Sequence, residues 1–375
     1  MKEPILYYLC LQATRQGQAS YSHVREILSG LQRMGVNARL FEPSHVKSAK
    51  RPDIFSRLLG FFSTQCRLIF SKKPDVIYVR WHFATIFVAL WAKVNKIPVI
   101  QEVNGPYDDL FLSYPWTRRF YRFFVYLMRQ QLLCADAVIT VTPNLRDWVI
   151  SEVSHTNVHV VTNGANTFIF HTKSSFFDEI ILPDRYVVFF GSLSIWQGID
   201  VMINALHSDM WPCDVALVVV GGGVERKKIK DAVKSFKSLL HYDPVQQCIL
   251  ADVIRNSLCS LSPQIGQRSL TGLYPLKLFE SLACGVPVIV SDWPGMADLV
   301  REHQCGIVIP PGDSNALAYA VAELAADPVS ARAMGLRGAA EVRKNHSWEA
   351  KAEDTYKIIS GVLSTKLLPP PVGKA

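Results

Sequence analysis

The sequence predicts an α/β protein built from two doubly wound parallel sheets. Two observations support this fold class. Short apolar runs of strand length alternate with longer segments of helical periodicity, and the alternation starts again about half-way along the chain. The length of 375 residues also exceeds one ordinary hydrophobic core and fits two domains of usual size.

The first half alternates predicted strands and helices from its first apolar run onward. Helical spacing of apolar residues predicts helices at Ser22–Met34, Phe83–Lys93 and Thr117–Cys134. The predicted buried strands of this half are Ile5–Leu9, Val36–Phe41, Val76–Val79, Val99–Glu102, Ala137–Thr140 and Val158–Val161. This order is typical of a Rossmann-like parallel sheet.

The second half repeats the pattern after the polar stretch Asn163–Asp184, which marks the join. A triple glycine, Gly221–Gly223, precedes a predicted helix at Glu225–Leu240. The predicted strands are Tyr186–Phe190, Val215–Val220, Leu258–Ser262, Val288–Ser291 and Gly306–Ile309. Ligands of such sheets bind beyond the carboxyl ends of the strands, and we expect the two Rossmann-like domains to face one another across a cleft.

Composition excludes several classes of protein. A hydrophobic content of 49% excludes a disordered chain, and apolar runs such as Phe83–Ala92 are shorter than the roughly 20 residues that span a bilayer. The apolar start Ile5–Leu11 is not followed by a small-residue cleavage site, so no signal peptide is predicted. Eight cysteines occur singly, which argues against a zinc site or a disulfide framework and favours a cytoplasmic location.

The segment Tyr274–Pro294 combines a helix start, a charged pair and a buried strand. Pro275 suits the first turn of a helix that stops at Gly285. Lys277 and Glu280 share one face of that helix. The free N–H groups of the helix start and Lys277 would hold a diphosphate, and Glu280 would accept hydrogen bonds from ribose hydroxyls. These features predict a nucleotide-sugar site; an ordinary exposed helix with a Lys/Glu ion pair is the alternative.

Loops rich in small residues follow several predicted strands. The loop Gln12–Ser20 would bring backbone N–H groups to a phosphate or a sugar, although a plain turn fits it equally well. Loops at Gly191–Gly198 and Gly221–Gly223 follow the first two strands of the second half. The triple glycine lacks the G-x-G-x-x-G spacing, so no dinucleotide cofactor is predicted.

Several motifs occur along the chain in a fixed order. The first half contains Ala135–Thr142 and Val160–Phe170. The second half contains the remaining motifs, which are Phe190–Asp200, Val218–Gly223, Leu261–Pro263, Pro275–Asp292 and Gly306–Asp313. Together the motifs resemble the glycosyl transferase group 1 family, whose members are retaining GT-B enzymes.

The resemblance implies metal-independent transfer of a sugar from a nucleoside-diphosphate donor, with retention at the anomeric carbon and no cofactor. The chain contains no D-x-D motif, which disfavours a metal-dependent GT-A enzyme. The expected domains are 1–165 for the acceptor and 166–345 for the donor. A helix at 346–366 would cross back to the first domain, and residues 367–375 would form a tail.

The chain departs from the family pattern at four positions. The family keeps a first glutamate, a phosphate-binding Arg and Lys, and a histidine where this sequence has Gly272, Ser192, Gln197 and Asn104. Glu280 matches the second glutamate of the family. Lys277 and Arg268 are the nearby cations that would replace the lost charges, and a solvated loop arginine is the alternative for Arg268.

The resemblance and the strand-end positions together give the candidate site. The candidate catalytic residues are Glu280, Lys277, Asn104 and Glu102, in a reaction whose main protein task is charge stabilisation. Candidate acceptor contacts are His82, Glu102 and Asn104; a strand-end cap is the alternative for Glu102 and a packed histidine for His82. The candidate donor contacts are Gly17, Gly191, Ser192, Gln197, Gly221, Gly222, Pro263, Arg268, Tyr274, Leu276, Lys277 and Glu280.

The formal net charge of +8 predicts an acidic partner. Basic residues are interleaved with large apolar ones in Lys47–Lys73 and Arg118–Arg129, both in the half expected to hold the acceptor. Such amphipathic segments bind anionic membrane surfaces, and core helices with solvated charges are the alternative. Nucleic acid is not expected, because neither an RNP-like strand nor a recognition helix occurs.

We therefore expect a cytoplasmic enzyme, peripheral on the inner face of the membrane, that uses a UDP-sugar or a GDP-sugar. Its acceptor would be a glycan or a lipid-linked molecule in cell-surface polysaccharide or glycolipid synthesis. Because family charges are missing, the main alternative is a non-catalytic sugar-nucleotide-binding partner subunit of a glycosyltransferase complex. A dehydrogenase or a nucleotide-sugar epimerase of similar shape is a further alternative.

Overall fold

The computed structural model describes residues 3–12, 14, 18–43, 53–173, 180–266 and 272–367. The chain forms two compact units, Met1–Thr162 with Lys351–Ala375, and Asn163–Ala350. Each unit contains one six-stranded sheet whose neighbouring strands all run parallel. The predicted fold class, with two doubly wound parallel sheets, is confirmed.

The first unit is a three-layer arrangement of helices and one sheet. Its strands are β1 (Ile5–Cys10), β2 (Asn37–Phe41), β3 (Val76–Arg80), β4 (Val99–Val103), β5 (Ala137–Thr140) and β6 (Val158–Val160). Its helices are α1 (Ala19–Arg33), α2 (Ile54–Ile69), α3 (Ile86–Val94), α4 (Asp108–Ser113), α5 (Tyr121–Leu133) and α6 (Pro143–Val153), with 3₁₀ turns at Phe83–Thr85 and Pro115–Phe120. The sheet order is β2-β1-β3-β4-β5-β6. Every residue of β3, β4 and β5 is buried, as is usual for the inner strands of a parallel sheet covered on both faces.

The second unit has the same architecture. Its strands are β7 (Tyr186–Ser192), β8 (Ala216–Gly222), β9 (Leu239–Tyr242), β10 (Ser260–Ser262), β11 (Val288–Ser291) and β12 (Gly306–Ile309). Its helices are α7 (Ile199–Ala205), α8 (Arg226–Ser235), α9 (Gln247–Arg255), α10 (Leu276–Ala283), α11 (Met296–His303), α12 (Ser314–Ala326) and α13 (Pro328–Asn345), with a 3₁₀ turn at Ile195–Gln197. The last helix, α14 (Trp348–Leu367), begins here and belongs to the first unit from Lys351 onward. The sheet order is β12-β11-β10-β7-β8-β9.

The strand order reverses between β1 and β3 in the first sheet and between β7 and β10 in the second. Ligands of open parallel sheets bind at the carboxyl ends of the strands where such a reversal occurs. In the first unit, Gln12, Arg80 and Asn104 lie at this edge. In the second unit, Gly191 and Pro263 occupy the corresponding places.

The helix predicted at Glu225–Leu240 is wrong in its second half. Helix α8 ends at Ser235, and the next residue, Phe236, has extended backbone. Leu239–Tyr242 then form the edge strand β9, in which Leu239 is 2% exposed and pairs with Leu217. The apolar spacing of this stretch fits either a helix or a short strand, and pairing with β8 decides between them.

The basic segment Lys47–Lys73 contains α2, whose start is capped by Asp53. The Asp53 carboxylate accepts a hydrogen bond of 2.6 Å from the backbone N–H of Ser56. Residues 47–52 of the segment lie outside the described residues. The sequence places the domain boundary after residue 165, whereas the compact units divide after Thr162.

Within the described ranges, no helix combines the length and apolar character needed to cross a membrane.

Candidate active site

Lys277 is a buried cation at the start of α10. Pro275 is the cap of this helix, and the first turn directs the Lys277 side chain into the interior, where the residue is 8% exposed. Its ammonium donates a hydrogen bond of 2.8 Å to Oε1 of Gln197 and lies 3.8 Å from the centre of the Phe189 ring. An amide oxygen and an aromatic face therefore hold the cation that the sequence assigns to a diphosphate.

Glu280 lies one turn after Lys277 and is half-buried. Burial lowers the pKa of Lys277 to about 7, against the opposing effect of the Glu280 charge. Burial likewise raises the pKa of Glu280 to about 7, against the effect of Lys277. Both groups titrate near neutral pH as a coupled pair, and an anion beside Lys277 would favour its charged form.

Glycine-containing loops pack closely beside Lys277. A Cβ atom at Gly198, where φ is +72°, would lie 1.9 Å from the carbonyl oxygen of Pro263. A Cβ atom at Gly221 would lie 1.9 Å from the carbonyl oxygen of Gly191. The Cβ position of Gly191 is in turn 3.8 Å from Cε of Lys277. The structure therefore brings these predicted donor residues together at one edge of the sheet.

Uncharged residues occupy the places where the family resemblance expects phosphate-binding charges. The Oγ atoms of Ser192 and Ser194 are 2.7 Å apart at the end of β7. Gln197 holds the ammonium of Lys277. Gly222 ends β8, and its carbonyl accepts a hydrogen bond from the backbone N–H of Leu193. Lys277 is thus the cation that the described residues bring to this edge.

Tyr274 and Leu276 precede and begin α10, and both anchor its start. The backbone oxygen of Tyr274 accepts a hydrogen bond of 2.8 Å from Nδ2 of Asn163. Leu276 is 8% exposed and packs its side chain inward, so it offers a ligand only its backbone. Two predicted donor residues lie outside the described residues, namely Gly17 and Arg268.

Glu102 lies near the carboxyl end of β4 and is fully buried. Its oxygens accept hydrogen bonds of 2.6 to 3.1 Å from the side chains of Arg80, Asn104, Tyr78 and Tyr8. Nε2 of His23 lies 3.0 Å from Oε2. Burial alone would raise the pKa of Glu102, but the charges of His23 and Arg80 hold it well below its usual range. The predicted direct contact between Glu102 and an acceptor is therefore not available in this structure, since the carboxylate has no exposed surface.

Arg80 is a site residue that the sequence analysis missed. It lies opposite Glu102 in the register of β3 and β4, and the residue is 7% exposed. Its Nε donates a hydrogen bond of 2.8 Å to Oε1 of Gln12. A charged residue at the end of an otherwise apolar strand requires a buried partner. The arginine that ends the run Val76–Arg80 therefore marked this strand end as a candidate site in the sequence.

His82 follows β3 and packs among aromatic rings. Its ring centroid is 4.4 to 6.4 Å from those of Phe83, Phe61 and Tyr114. Its Nδ1 accepts a hydrogen bond from the backbone N–H of Ala84, and burial lowers the pKa of His82 to about 4. His82 is therefore neutral at pH 7 and about nine-tenths buried. A contact between His82 and the acceptor stays a prediction.

Family models match most of the chain. Residues 184–327 match the model described as Glycosyl transferases group 1, and residues 22–167 match the model described as Glycosyltransferase Family 4. The chain belongs to the glycosyl transferase group 1 family. The resemblance to this family that the motifs indicate is thereby confirmed.

Curated relatives of this glycosyltransferase include enzymes that are named for sugar transfer or synthesis. An alpha-maltose-1-phosphate synthase of Mycolicibacterium smegmatis is 28% identical over 251 residues, which is 61% of this chain and 64% of the relative. A phosphatidyl-myo-inositol mannosyltransferase of Mycobacterium leprae is 28% identical over 171 residues, which is 45% of this chain and 44% of the relative. The chain thus spans less than two thirds of the length of these relatives.

Solved structures show that this glycosyltransferase has the GT-B fold. Sucrose-phosphate synthase from Thermosynechococcus elongatus matches with a TM-score of 0.79 at 18% identity, covering 97% of this chain and 100% of that chain. Anabaena HepE in complex with UDP-glucose matches with a TM-score of 0.68 at 15% identity, covering 96% of this chain and 100% of that chain.

In the described part of this chain, no group of three or more His, Cys, Asp or Glu residues is suited to hold a metal ion.

Proposed function

We propose that this glycosyltransferase transfers a sugar from a UDP-sugar or a GDP-sugar, with retention at the anomeric carbon and without a metal ion. The proposed acceptor is a glycan or a lipid-linked molecule in the synthesis of cell-surface polysaccharide or glycolipid. One observation carries the proposal. The buried Lys277 is held by Gln197 and Phe189 at the carboxyl edge of the second sheet, one turn from Glu280.

The environment of Lys277 suits a diphosphate. The ammonium is already desolvated and held in place, so binding requires little reorganisation. The start of α10 adds backbone N–H groups and a partial positive charge. Glu280 would accept hydrogen bonds from the ribose hydroxyls. HepE binds UDP-glucose in its structure, which supports a nucleotide-sugar donor for this chain.

The proposed reaction needs stabilisation of charge more than a protein base. The bond between the anomeric carbon and the diphosphate oxygen breaks, and the acceptor oxygen attacks the same face of the sugar. The acceptor proton passes to the leaving diphosphate. Lys277 and the start of α10 would stabilise the negative charge that develops on that group. An asparagine at position 104, where the family keeps a histidine, is compatible with this route.

A basic layer of helices in the first unit supports a membrane-borne acceptor. α3 packs against both α2 and α5, so these three helices form one layer. With the 3₁₀ turn Pro115–Phe120, they contain neither Asp nor Glu. Their basic residues are Arg57, Arg67, Lys93, Arg118, Arg119, Arg122 and Arg129. We call these helices and this turn the basic helix layer.

The basic helix layer also exposes large apolar side chains. Between 48% and 75% of the surface is exposed for Ile54, Phe55, Leu59, Phe62, Phe87, Leu90, Phe120, Phe123 and Tyr126. Apolar insertion together with about 1 kcal/mol per basic residue binds such a surface to anionic lipid. The enzyme would thus be peripheral on the cytoplasmic face of the membrane. The name of the Mycobacterium leprae relative includes a phospholipid, which supports a lipid-linked acceptor.

Turnover with a panel of UDP-sugars and GDP-sugars tests the proposal. NMR spectroscopy of the product gives the anomeric configuration, and the same assay with EDTA tests independence from metal. We expect Glu280→Ala to abolish turnover. A protein that binds UDP or GDP but turns over no sugar of the panel would instead be the non-catalytic partner subunit.

A further inference from the structure

Two amide side chains lie at the carboxyl edge of the first sheet and contact the same buried ion pair. Gln12 follows β1 and is exposed, whereas Asn104 follows β4 and is half-buried. β3 lies between these strands and ends in Arg80. Arg80 donates to Gln12 through Nε and to Glu102 through a terminal nitrogen, and Oε1 of Glu102 also accepts from Asn104.

The chemistry of the ion pair determines how each amide is turned. A guanidinium only donates hydrogen bonds, so Gln12 must present its oxygen to Arg80, at 2.8 Å. An ionised carboxylate only accepts them, so Asn104 must present its nitrogen to Glu102, at 2.6 Å. These orientations follow from charge and do not depend on distinguishing N from O in a side-chain amide.

The outward groups of the two amides are therefore opposite in kind. Gln12 presents N–H donors, and Asn104 presents a carbonyl oxygen. Within the described residues, neither outward group has a hydrogen-bond partner. We propose that Gln12 and Asn104 bind hydroxyl groups of a neutral sugar ring, and that Arg80 and Glu102 are positioning residues that set the two amides. This inference rests on the proposed function.

The pair of outward groups favours a hydroxyl over an anion. A hydroxyl can accept from the Gln12 N–H and can donate to the Asn104 oxygen, so hydroxyl groups suit both amides. The diphosphate of a nucleotide sugar is fully ionised at neutral pH, so its oxygens have no proton to donate and would be repelled by the Asn104 oxygen. The ligand of this edge is therefore a sugar ring, of either the transferred sugar or the acceptor, rather than the diphosphate.

The surroundings of Glu102 fix the geometry before a ligand arrives. The hydroxyls of Tyr8 and Tyr78 donate to Oε2 at 3.1 and 2.8 Å, and Nε2 of His23 lies 3.0 Å from the same oxygen. All of these side chains are buried. A carboxylate held from several sides cannot turn, so Asn104 keeps its orientation. Such preorganisation lowers the loss of conformational entropy on binding.

The test uses Gln12→Met and Asn104→Leu, which keep side-chain size and remove the outward groups. Asn144→Leu, at an exposed position of α6, is the matched control. Calorimetry gives the dissociation constants of UDP and UDP-glucose and of GDP and GDP-mannose. Within each pair, the dissociation constant of the nucleotide divided by that of the nucleotide sugar isolates the contribution of the sugar, and we call this quotient the ratio. Saturation-transfer NMR with methyl α-glucoside and methyl α-mannoside, in the presence of UDP or GDP, probes the acceptor.

We expect each variant to bind UDP and GDP as the wild type does. If the transferred sugar is the ligand, the ratio falls about 3- to 10-fold, which is the usual effect of one neutral hydrogen bond. If the acceptor is the ligand, the ratio is unchanged and the glycoside signal is lost. The inference would be overturned if the wild type showed neither a contribution of the sugar to nucleotide-sugar affinity nor a glycoside signal. It would also be overturned if the variants lost neither of them. Failure to bind UDP and GDP at all would instead count against the proposed function.

Glu102→Gln tests the positioning role separately. A carboxamide donates as well as accepts, so Asn104 would be free to turn its nitrogen outward. We expect the same loss of the sugar effect as in Asn104→Leu, with unchanged affinity for UDP and GDP. A purely structural role would weaken the nucleotide and the nucleotide-sugar equally. If Glu102→Gln does not fold, Gln12→Met and Asn104→Leu still decide the proposal.

Discussion

Gln197 holds the ammonium of Lys277 through a hydrogen bond of 2.8 Å. Position 197 is where the family resemblance expects a phosphate-binding lysine, and here it carries a neutral amide. The positive charge comes instead from α10, and the amide serves to place it. The chain thus keeps a cation at the edge of β7 while changing the element that supplies it.

Replacing Lys277 by methionine tests this relationship. We expect affinity for UDP-glucose or GDP-mannose, whichever binds, to fall about 10- to 100-fold, because a charge-assisted hydrogen bond contributes roughly 1.5 to 3 kcal/mol. The folded state should be as stable as the wild type or more so, since the variant removes a buried charge. Calorimetry and thermal unfolding measure the two effects. Lys230→Met on the surface of α8 is the control, and equal affinities for both variants would contradict this role of Lys277.

Donor affinity should depend on pH with a maximum near 7. The pKa of Lys277 in the free protein is lowered to about 7, and a bound diphosphate favours the charged amine, so affinity falls up to tenfold per pH unit above that value. The pKa of Glu280 is raised to about 7, so below it the protonated acid accepts ribose hydroxyls less well. Calorimetry from pH 5.5 to 9 with a nucleotide sugar measures this profile. Lys277→Met should lose the alkaline decline, and a flat wild-type profile would contradict the coupled pair.

The fold was predictable because apolar strands and their order are local features of the sequence. The strands that contain Gly191 and Gly221, and the strand that Pro263 follows, alternate with helices, and parallel pairing brings their carboxyl ends to one edge. The position of Lys277 on α10 follows from Pro275 and helical spacing. The error at Leu239–Tyr242 arose because a four-residue edge strand has no periodicity that separates it from a helix end.

The first-unit site was only partly predictable, because long-range pairing determines its character. Nothing local to Glu102 shows that Arg80 lies opposite it or that two tyrosines occupy its other oxygen. The sequence therefore predicts a contact between Glu102 and the acceptor, whereas the side chain is buried in the structure. Gln12 lay within a loop that was predicted to bind a ligand, but its orientation depends on a guanidinium from another strand.

Binding to anionic vesicles should depend on the basic helix layer. We expect the wild type to float with liposomes that contain about 30% anionic phospholipid and to dissociate as salt rises, because exposed charges are screened. Replacing both Phe55 and Phe62 by serine should remove most of the binding, since each ring is more than half exposed and available for insertion. Liposome flotation measures the bound fraction.

The matched control for the vesicle experiment is Phe168→Ser. Phe168 is 75% exposed and lies in the second unit, outside the basic helix layer. This variant should float as the wild type does. Equal loss in the control and in the Phe55/Phe62 variant, or wild-type binding that does not respond to salt, would contradict docking through the layer.

Removing the carboxylate of Glu102 should destabilise the protein strongly. Glu102→Ala leaves Arg80 buried without its partner, which we expect to lower the free energy of unfolding by about 3 to 5 kcal/mol. Because the pKa of Glu102 is held well below its usual range, its contribution is present above the ordinary carboxylate pKa and is lost only in strong acid. Denaturant unfolding at pH 7 measures the loss. The exposed pair of Glu353 and Lys357 on α14, with atoms 3.0 Å apart, provides the control Glu353→Ala, for which we expect less than about 1 kcal/mol. Similar losses in the two variants would show that Arg80 does not depend on Glu102.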